Sequence, residues 1–314
     1  MVFPNMSKQS SKYQYDFERF FHEVMGYKIL ADAHQYAYVE SLLERPEKSQ
    51  AVFVDAKSGT GKTSVAIAAG YYLLKRAKID KIIYVRNTVS LRENGFLPGT
   101  TEEKEEVFMR PLVESINRIG ALDNRQDLYD DLVMNGQLVA TSTSYLRGVD
   151  ISGDAMIIID EAQNLSLGEL RTVLTRKHDS VKAVIIGSHL QVDTPDIEKF
   201  GSVGILPFEL FMNHFEKNEQ IPTKRIELYR NYRGQFAQYA DMVHETVSQF
   251  KKEEELHKKQ EVYEELFKEQ VLEERIIEVS EIEDFNERTL YETKFNNEKP
   301  TEVHPATSYL EAFD

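Results

Sequence analysis

The chain has 314 residues, 41% of them hydrophobic and 11% aromatic, enough for a full core, and no cysteine, which excludes disulfides and thiolate metal sites. Its net charge is −15; residues 251–314 hold 19 of the 53 acidic residues against 9 of the 38 basic ones, so the rest is only mildly acidic and the whole argues against a generic nucleic-acid coat. There is no run of about 18 apolar residues, and the start, MVFPNMSKQSSKYQYDFERFF, lacks a signal-peptide core, which predicts a soluble, cytoplasmic protein with no membrane partner.

Residues 1–30 form an N-terminal extension ahead of the first patterned segment. From residue 51 to about 190, short β-branched runs alternate with amphipathic stretches: AVFVDA, KIIYVRN, QLVATS, AMIIIDE and KAVIIGS. Near-continuous apolar runs of this length are strands buried on both faces. The stretches between them are long enough for crossover helices, and TSVAIAAGYYLLKRAK follows the first run directly as a helix packed on a sheet. Five such runs predict an α/β fold with a parallel five-stranded core sheet covered by helices. RIELYRNYRGQFAQYADMVHETVSQF reads as a short extended segment leading into a helix. After Phe250 the composition turns abruptly to KKEEELHKKQEVYEELFKEQ, where Leu256, Val262, Leu266 and Val271 fit an amphipathic helix only loosely. Residues 251–314 are therefore expected to be a charged helical or disordered extension, and residues 31–250 the main domain.

The stretch VFVDAKSGTGKTS, residues 52–64, carries the first chemistry. A phosphate-binding loop runs Gly, four variable residues, Gly, Lys, then Ser or Thr. Gly61-Lys62-Thr63 closes that pattern, while Ala56 stands at its first glycine, where a methyl at the loop mouth is expected to be tolerated. Strand before and helix after supply the required context. Ser58, Gly59, Thr60, Gly61, Lys62, Thr63 and Ser64 are the expected nucleotide contacts, through backbone N–H groups and the helix N-terminus. Lys62 supplies charge to the β- and γ-phosphates, and the Thr63 hydroxyl is a ligand for Mg²⁺.

AMIIIDEAQN, residues 155–164, places Asp160 at the end of a buried strand as the second metal residue and Glu161 as acceptor of a proton from the attacking water. Gln191, just beyond the strand in VIIGSHLQVD, is a candidate sensor of the γ-phosphate. In ELYRNYRGQFAQYAD, Arg230 and Arg233 precede a helix, and Arg233 is the better candidate to stabilise phosphoryl charge in the transition state.

With these residues the chain resembles the PhoH family of P-loop ATPases, as a bacteriophage-encoded member, and more distantly the first motor domain of superfamily 1 helicases. The resemblance extends to RNTVSLRENGFLPGTTEEKEEVFMRPLVESI, built around Gly95 to Gly99 with Lys104 and Arg110-Pro111 downstream, and to SYLRG (Ser144–Gly148), DEAQN and LTRKHDSVKAVIIG in the same order. It covers about Ala31 to Gln249 and implies a RecA-like P-loop NTPase fold using ATP and Mg²⁺. It also implies that Gln35, in ADAHQYAYVESL, reads the adenine edge, and it raises Arg233, because NYRG is similar to the helicase segment whose arginine contacts the γ-phosphate. Ser188 departs from the aspartate usual in the family. Relatives associated with rings imply a homo-oligomer; no nuclease domain is expected ahead of the ATPase. The expected function is Mg²⁺-dependent ATP hydrolysis coupled to binding or remodelling of single-stranded RNA or DNA, RNA before DNA, in the cytoplasm of a host cell. Arg86, Asn87, Tyr145 and Arg147, at strand C-terminal ends, are the expected strand contacts. The alternative is a nucleotide-dependent switch or assembly module acting on a protein partner.

Overall fold

A computed structural model describes residues 17–26, 32–86, 101–146, 149–194 and 196–296. Six parallel strands build one sheet: β1 (Ala51–Ala56), β2 (Lys81–Arg86), β3 (Leu138–Thr141), β4 (Ala155–Asp160), β5 (Lys182–Gly187) and β6 (Thr223–Leu228). Their order across the sheet is β3-β2-β4-β5-β1-β6. The helices are α1 (Phe17–Phe20), α2 (Ala33–Leu43), α3 (Lys62–Lys75), α4 (Thr101–Leu122), α5 (Leu128–Met134), α6 (Leu167–Leu174), α7 (Pro207–Glu216), α8 (Gln235–Asp241) and α9 (Val243–Asn296), with a π-helical turn at Phe21–Met25 and a 3₁₀ turn at Ala162–Asn164.

The parallel α/β architecture expected from the apolar runs is present, but with six strands rather than five. The additional strand is β6, sequence TKRIEL, which pairs with β1 from Ala51↔Thr223 to Ala56↔Leu228. It escapes a search for apolar runs because it lies at the sheet edge. Only Ile226 and Leu228 are buried, while Lys224 and Arg225 keep the open edge charged.

Alternation along each strand divides the core into two layers. Val52, Val54 and Ala56 of β1, with Met156 and Ile158 of β4, face α2, α3 and α4. Phe53, Ile157, Ile159 and Ile185 face α6 and α7, where Leu170, Val173, Phe208 and Met212 cover them. Residues 17–25 join the first layer: Phe20 and Phe21 are buried, and Phe20 meets Tyr72 of α3 edge-on.

α2 is fixed at both ends, which matters for the site. Asp32 caps its N-terminus by accepting from the backbone N–H groups of His34 and Gln35. At its C-terminus the buried Lys182 side chain donates to the carbonyls of Ser41, Leu42 and Glu44, which a helix end leaves without intrahelical partners.

The chain divides into two compact units, Met1–Val243 and His244–Asp314. In the second, α9 is one continuous helix on which Leu256, Val262, Leu266, Phe267 and Ile276 are each more than half exposed. They follow no single helical stripe. No described helix is long and apolar enough to cross a membrane.

Candidate nucleotide site

Five strands, β1, β2, β4, β5 and β6, deliver the site at their C-terminal ends. β1 runs into the loop Lys57–Gly61, and α3 begins at Lys62 with Gly61 as its N-cap. Gly59 and Gly61 have φ of +79° and +83°, backbone geometry that glycine adopts without strain. The second requirement at Gly59 is space. A Cβ there would come within 2.6 Å of Asn231 Oδ1. The loop is thus built against the segment that follows β6.

That segment grips the loop at several points. Asn231 Nδ2 donates to the Ser58 carbonyl at 3.2 Å, and the Tyr232 N–H donates to the Gly59 carbonyl at 2.8 Å. Arg233 donates through its backbone N–H to Asn231 Oδ1, and its guanidinium donates to Ser58 Oγ at 2.6 Å. The Tyr232 hydroxyl reaches Asp32 Oδ2 at 2.7 Å, tying the same segment to the cap of α2. From α2, buried Gln35 donates to the Thr60 carbonyl at 3.1 Å, while its Oε1 has no partner. Tyr38, one turn on, donates to the Lys62 carbonyl.

Lys62 is only 7% exposed, and its ammonium makes no hydrogen bond or ion pair among the described residues. Across β5, β4 brings in the acids. Asp160 is buried; its Oδ1 accepts from the Thr63 hydroxyl at 2.9 Å and its Oδ2 from the Tyr84 hydroxyl at 2.6 Å. Burial raises the Asp160 carboxyl above its usual range, and the charge of Glu161 adds to this; Tyr84, Arg86 and Thr63 oppose both. Glu161 is left-handed, with φ of +54°.

These residues fit a nucleoside triphosphate and a magnesium ion. An unpaired ammonium lies at a helix N-terminus, where anions bind. A hydroxyl and a carboxylate converge beside it as hard oxygen donors, and Mg²⁺ is commonly held by one or two such groups plus substrate phosphates. Among the described residues no group of three or more His, Cys, Asp or Glu could hold a metal alone. The unpartnered Gln35 Oε1 can accept from an exocyclic amine.

Other expected residues fall differently. The Ser64 hydroxyl pairs with Ser115 of α4 at 3.3 Å, so only its backbone serves the loop. Ala56 is 4% exposed and packs in the first core layer as the last residue of β1; its methyl does not face solvent at the loop mouth. The glycine pattern alone cannot reveal this, because the strand continues one residue further than the loop pattern suggests. Gln191 directs its side-chain amide to Asp241 at 3.4 Å, and Asp241 also lies 3.5 Å from Lys57 Nζ. Tyr145 is exposed in the turn after β3. Asn87, Arg147 and the Gly95–Gly99 block lie outside the described residues.

Arg86 sits at the acids. Its guanidinium is 3.8 Å from Asp160 Oδ2 and 3.9 Å from Glu161 Oε1, as the β2–β4 register Arg86↔Asp160 allows.

Two residues were missed. Gln163 is fully buried in the 3₁₀ turn after Glu161. Its Nε2 donates to Glu161 Oε2 at 2.6 Å and to the Gln191 carbonyl at 2.8 Å, and its Oε1 accepts from the Ser188 N–H. Its adjacency to Asp160-Glu161 was the available signal. Asn231 gave none, since its partner Ser58 is 173 residues away.

A family model described as PhoH-like protein matches residues 30–243. A PhoH-like protein of Bacillus subtilis is 33% identical over 49% of this chain and 47% of its own length, and one of Mycobacterium leprae is 33% identical over 52% and 44%. Protein PhoH of Escherichia coli is 30% identical over 49% and 43%. The chain spans about half the length of these relatives or less. A crystal structure of the Pif1 helicase from Candida albicans aligns over 66% of this chain and 41% of its own with 13% identity and a TM-score of 0.32.

Proposed function

The chain belongs to the PhoH-like protein family, and from that premise we propose that it hydrolyses ATP with Mg²⁺ and couples the hydrolysis to single-stranded nucleic acid, RNA in preference to DNA. The observation that carries the reading is the Thr63–Asp160 contact, which joins the phosphate loop to the acidic strand end beside the unpaired Lys62 ammonium. In this reading Lys62 holds the β- and γ-phosphates, and Thr63 and Asp160 hold the metal, which neutralises charge on the transferring phosphoryl group. Glu161 takes the proton of the attacking water. Gln163 fixes the carboxylate of Glu161 through Oε2 and leaves Oε1 for that proton. Gln35 selects adenine through its unpartnered oxygen.

Arg233 is the arginine of this site. Its bond to Ser58 of its own chain supports a role within one subunit, reached from the loop mouth. Gln191 senses the γ-phosphate only indirectly, through the Gln163 bridge to Glu161. For the strand, exposed Tyr145 supplies a stacking surface and Arg86 a cation at the sheet's C-terminal edge.

The test is phosphate release by the full chain with and without single-stranded RNA or DNA, with Lys62→Ala as control. Release that needs Lys62 and rises more with RNA than with DNA supports the reading. Lys62-dependent release that neither polymer changes would move the function to a nucleotide-dependent switch acting on a protein. No Lys62-dependent release would end the hydrolase reading itself.

A further inference from the structure

The four carboxylate oxygens of Asp160 and Glu161 have different partners. Both oxygens of Asp160 accept hydroxyl protons, from Thr63 and Tyr84, and Glu161 Oε2 accepts from Gln163. Among the described residues, the remaining oxygen, Glu161 Oε1, faces Arg86 alone. A base takes its proton on the oxygen that is free, and here a cation stands at that oxygen. Arg86 reaches it at 3.9 Å and Asp160 Oδ2 at 3.8 Å, beyond hydrogen-bond length, so the two carboxylates hold the guanidinium by charge, and its hydrogen-bonding neighbour is the Tyr84 hydroxyl. Its side chain is 21% exposed at the last residue of β2, which leaves it a route to solvent.

A positive charge in that place has two consequences. It stands over Glu161 Oε1, where the attacking water would have to be seated. It also repels a divalent cation seated between Thr63 and Asp160. Both restrain hydrolysis. A phosphodiester offers the same guanidinium paired, charge-assisted hydrogen bonds, for which its planar fork is shaped. Those bonds are stronger than charge contacts near 4 Å.

We propose that Arg86 is a movable restraint on the hydrolytic site, held at Asp160 and Glu161 in the free protein and transferred to a backbone phosphate when single-stranded nucleic acid binds. Strand binding then frees Glu161 Oε1 and lifts the repulsion at the metal position. Arg86 is thus a positioning residue whose location reports the strand to the base. This rests on the nucleic-acid reading given above, but its first half does not need a strand.

The experiment uses the full chain and the variants Arg86→Gln and Arg86→Lys, each checked for a wild-type thermal transition in the nucleotide-bound form. Binding of a fluorescent, non-hydrolysable ATP analogue is titrated with Mg²⁺ at pH 8 without nucleic acid. In Arg86→Gln the half-saturating Mg²⁺ concentration should fall about twofold to fivefold, the range of a partly screened charge pair. Arg86→Lys, which keeps the charge, should stay near wild type. Hydrolysis is then measured with and without single-stranded RNA. Arg86→Gln should hydrolyse several-fold faster than wild type without RNA, and its stimulation ratio should drop toward one. An unchanged or weakened Mg²⁺ dependence, or slower basal hydrolysis, would overturn the restraint. A wild-type stimulation ratio in Arg86→Gln would overturn the transfer to phosphate. If wild-type protein hydrolyses ATP but RNA never stimulates it, the nucleic-acid reading fails and the transfer with it, while the Mg²⁺ titration still decides the restraint.

Discussion

Gly59→Ala tests how the phosphate loop is held, and its cost follows from two local facts. At φ of +79° an alanine pays about 1 kcal/mol, the lower end of the left-handed penalty. Its Cβ would also lie 2.6 Å from Asn231 Oδ1, so Asn231 must move. Moving it gives up its bonds to the Ser58 carbonyl and the Arg233 N–H, each worth about 1 kcal/mol net. The single variant should therefore lose about 3 kcal/mol of the binding-competent loop, which is about a hundredfold in nucleotide affinity. Asn231→Ala alone loses the two bonds, about 2 kcal/mol. In the double variant there is no clash and no bond left to lose, so only the backbone penalty is added. It should bind about as weakly as Gly59→Ala, a coupling of about 2 kcal/mol in a double-mutant cycle. Titration of a fluorescent nucleotide against the four proteins gives the number. Additive losses would refute the argument, because they would mean that Asn231 does not set the glycine requirement.

Gln163→Ala should lower kcat by about 10- to 100-fold with little change in KM, since Glu161 loses its orientation but not its chemistry; steady-state kinetics that show a KM effect instead would place Gln163 in binding. Ala56→Gly removes a buried methyl and adds backbone freedom, so thermal unfolding should show a loss of about 1–2 kcal/mol while nucleotide affinity changes less than about tenfold; a larger affinity change would mean that Ala56 shapes the pocket. Arg233→Ala should bind nucleotide and lose hydrolysis, and mixing it with Glu161→Gln should restore nothing, because Arg233 donates to Ser58 of its own chain; recovery in mixtures that exchange subunits would put the arginine in a neighbour's site. The hydrogen bond to Asp55 raises the His189 pKa; burial opposes this, and the charges of Asp55, Glu209 and Glu227 support it. Its stabilisation is complete below the unfolded histidine value of about 6.5 and is lost as pH rises through the higher folded value. His189→Gln should therefore lower the unfolding temperature more at pH 5.5 than at pH 9, and modestly, since the ring is 45% exposed; an equal drop at both would show that the charge contributes nothing.

The parts of the molecule that were legible are those where one segment decides its own environment. β1, β2, β4 and β5 are buried on both faces, so their apolar runs had no competing reading, and the loop after β1 carries its glycines within one turn. β6 was read only as a short extended segment starting at Arg225, and not counted in the sheet, for the converse reason. Its Thr-Lys-Arg-Ile-Glu-Leu alternation belongs to an edge, where half the residues answer to water and the pattern weakens. Residues 251–314 were legible as a charged extension, with helix and disorder both left open, and the apolar residues of α9 follow no stripe from which a buried face could be assigned.

The site follows a different logic, since its contacts are made between strand ends. Thr63 and Asp160 are 97 residues apart, Ser58 and Asn231 173, and Asp32 and Tyr232 200. Ser58, Thr63 and Asp160 were visible from their own motifs, but which residues meet depends on the strand order, and no local pattern encodes that β5 alone separates β4 from β1. Arg86 shows the consequence. At the end of β2 it has the chemistry of a phosphate contact, and that is how its sequence context presents it. The register Arg86↔Asp160 puts the same guanidinium beside two carboxylates. An arginine set between an acid pair and solvent can serve either partner but not both at once. That exclusivity makes the β2–β4 register, rather than any single motif, the feature that can link strand binding to hydrolysis.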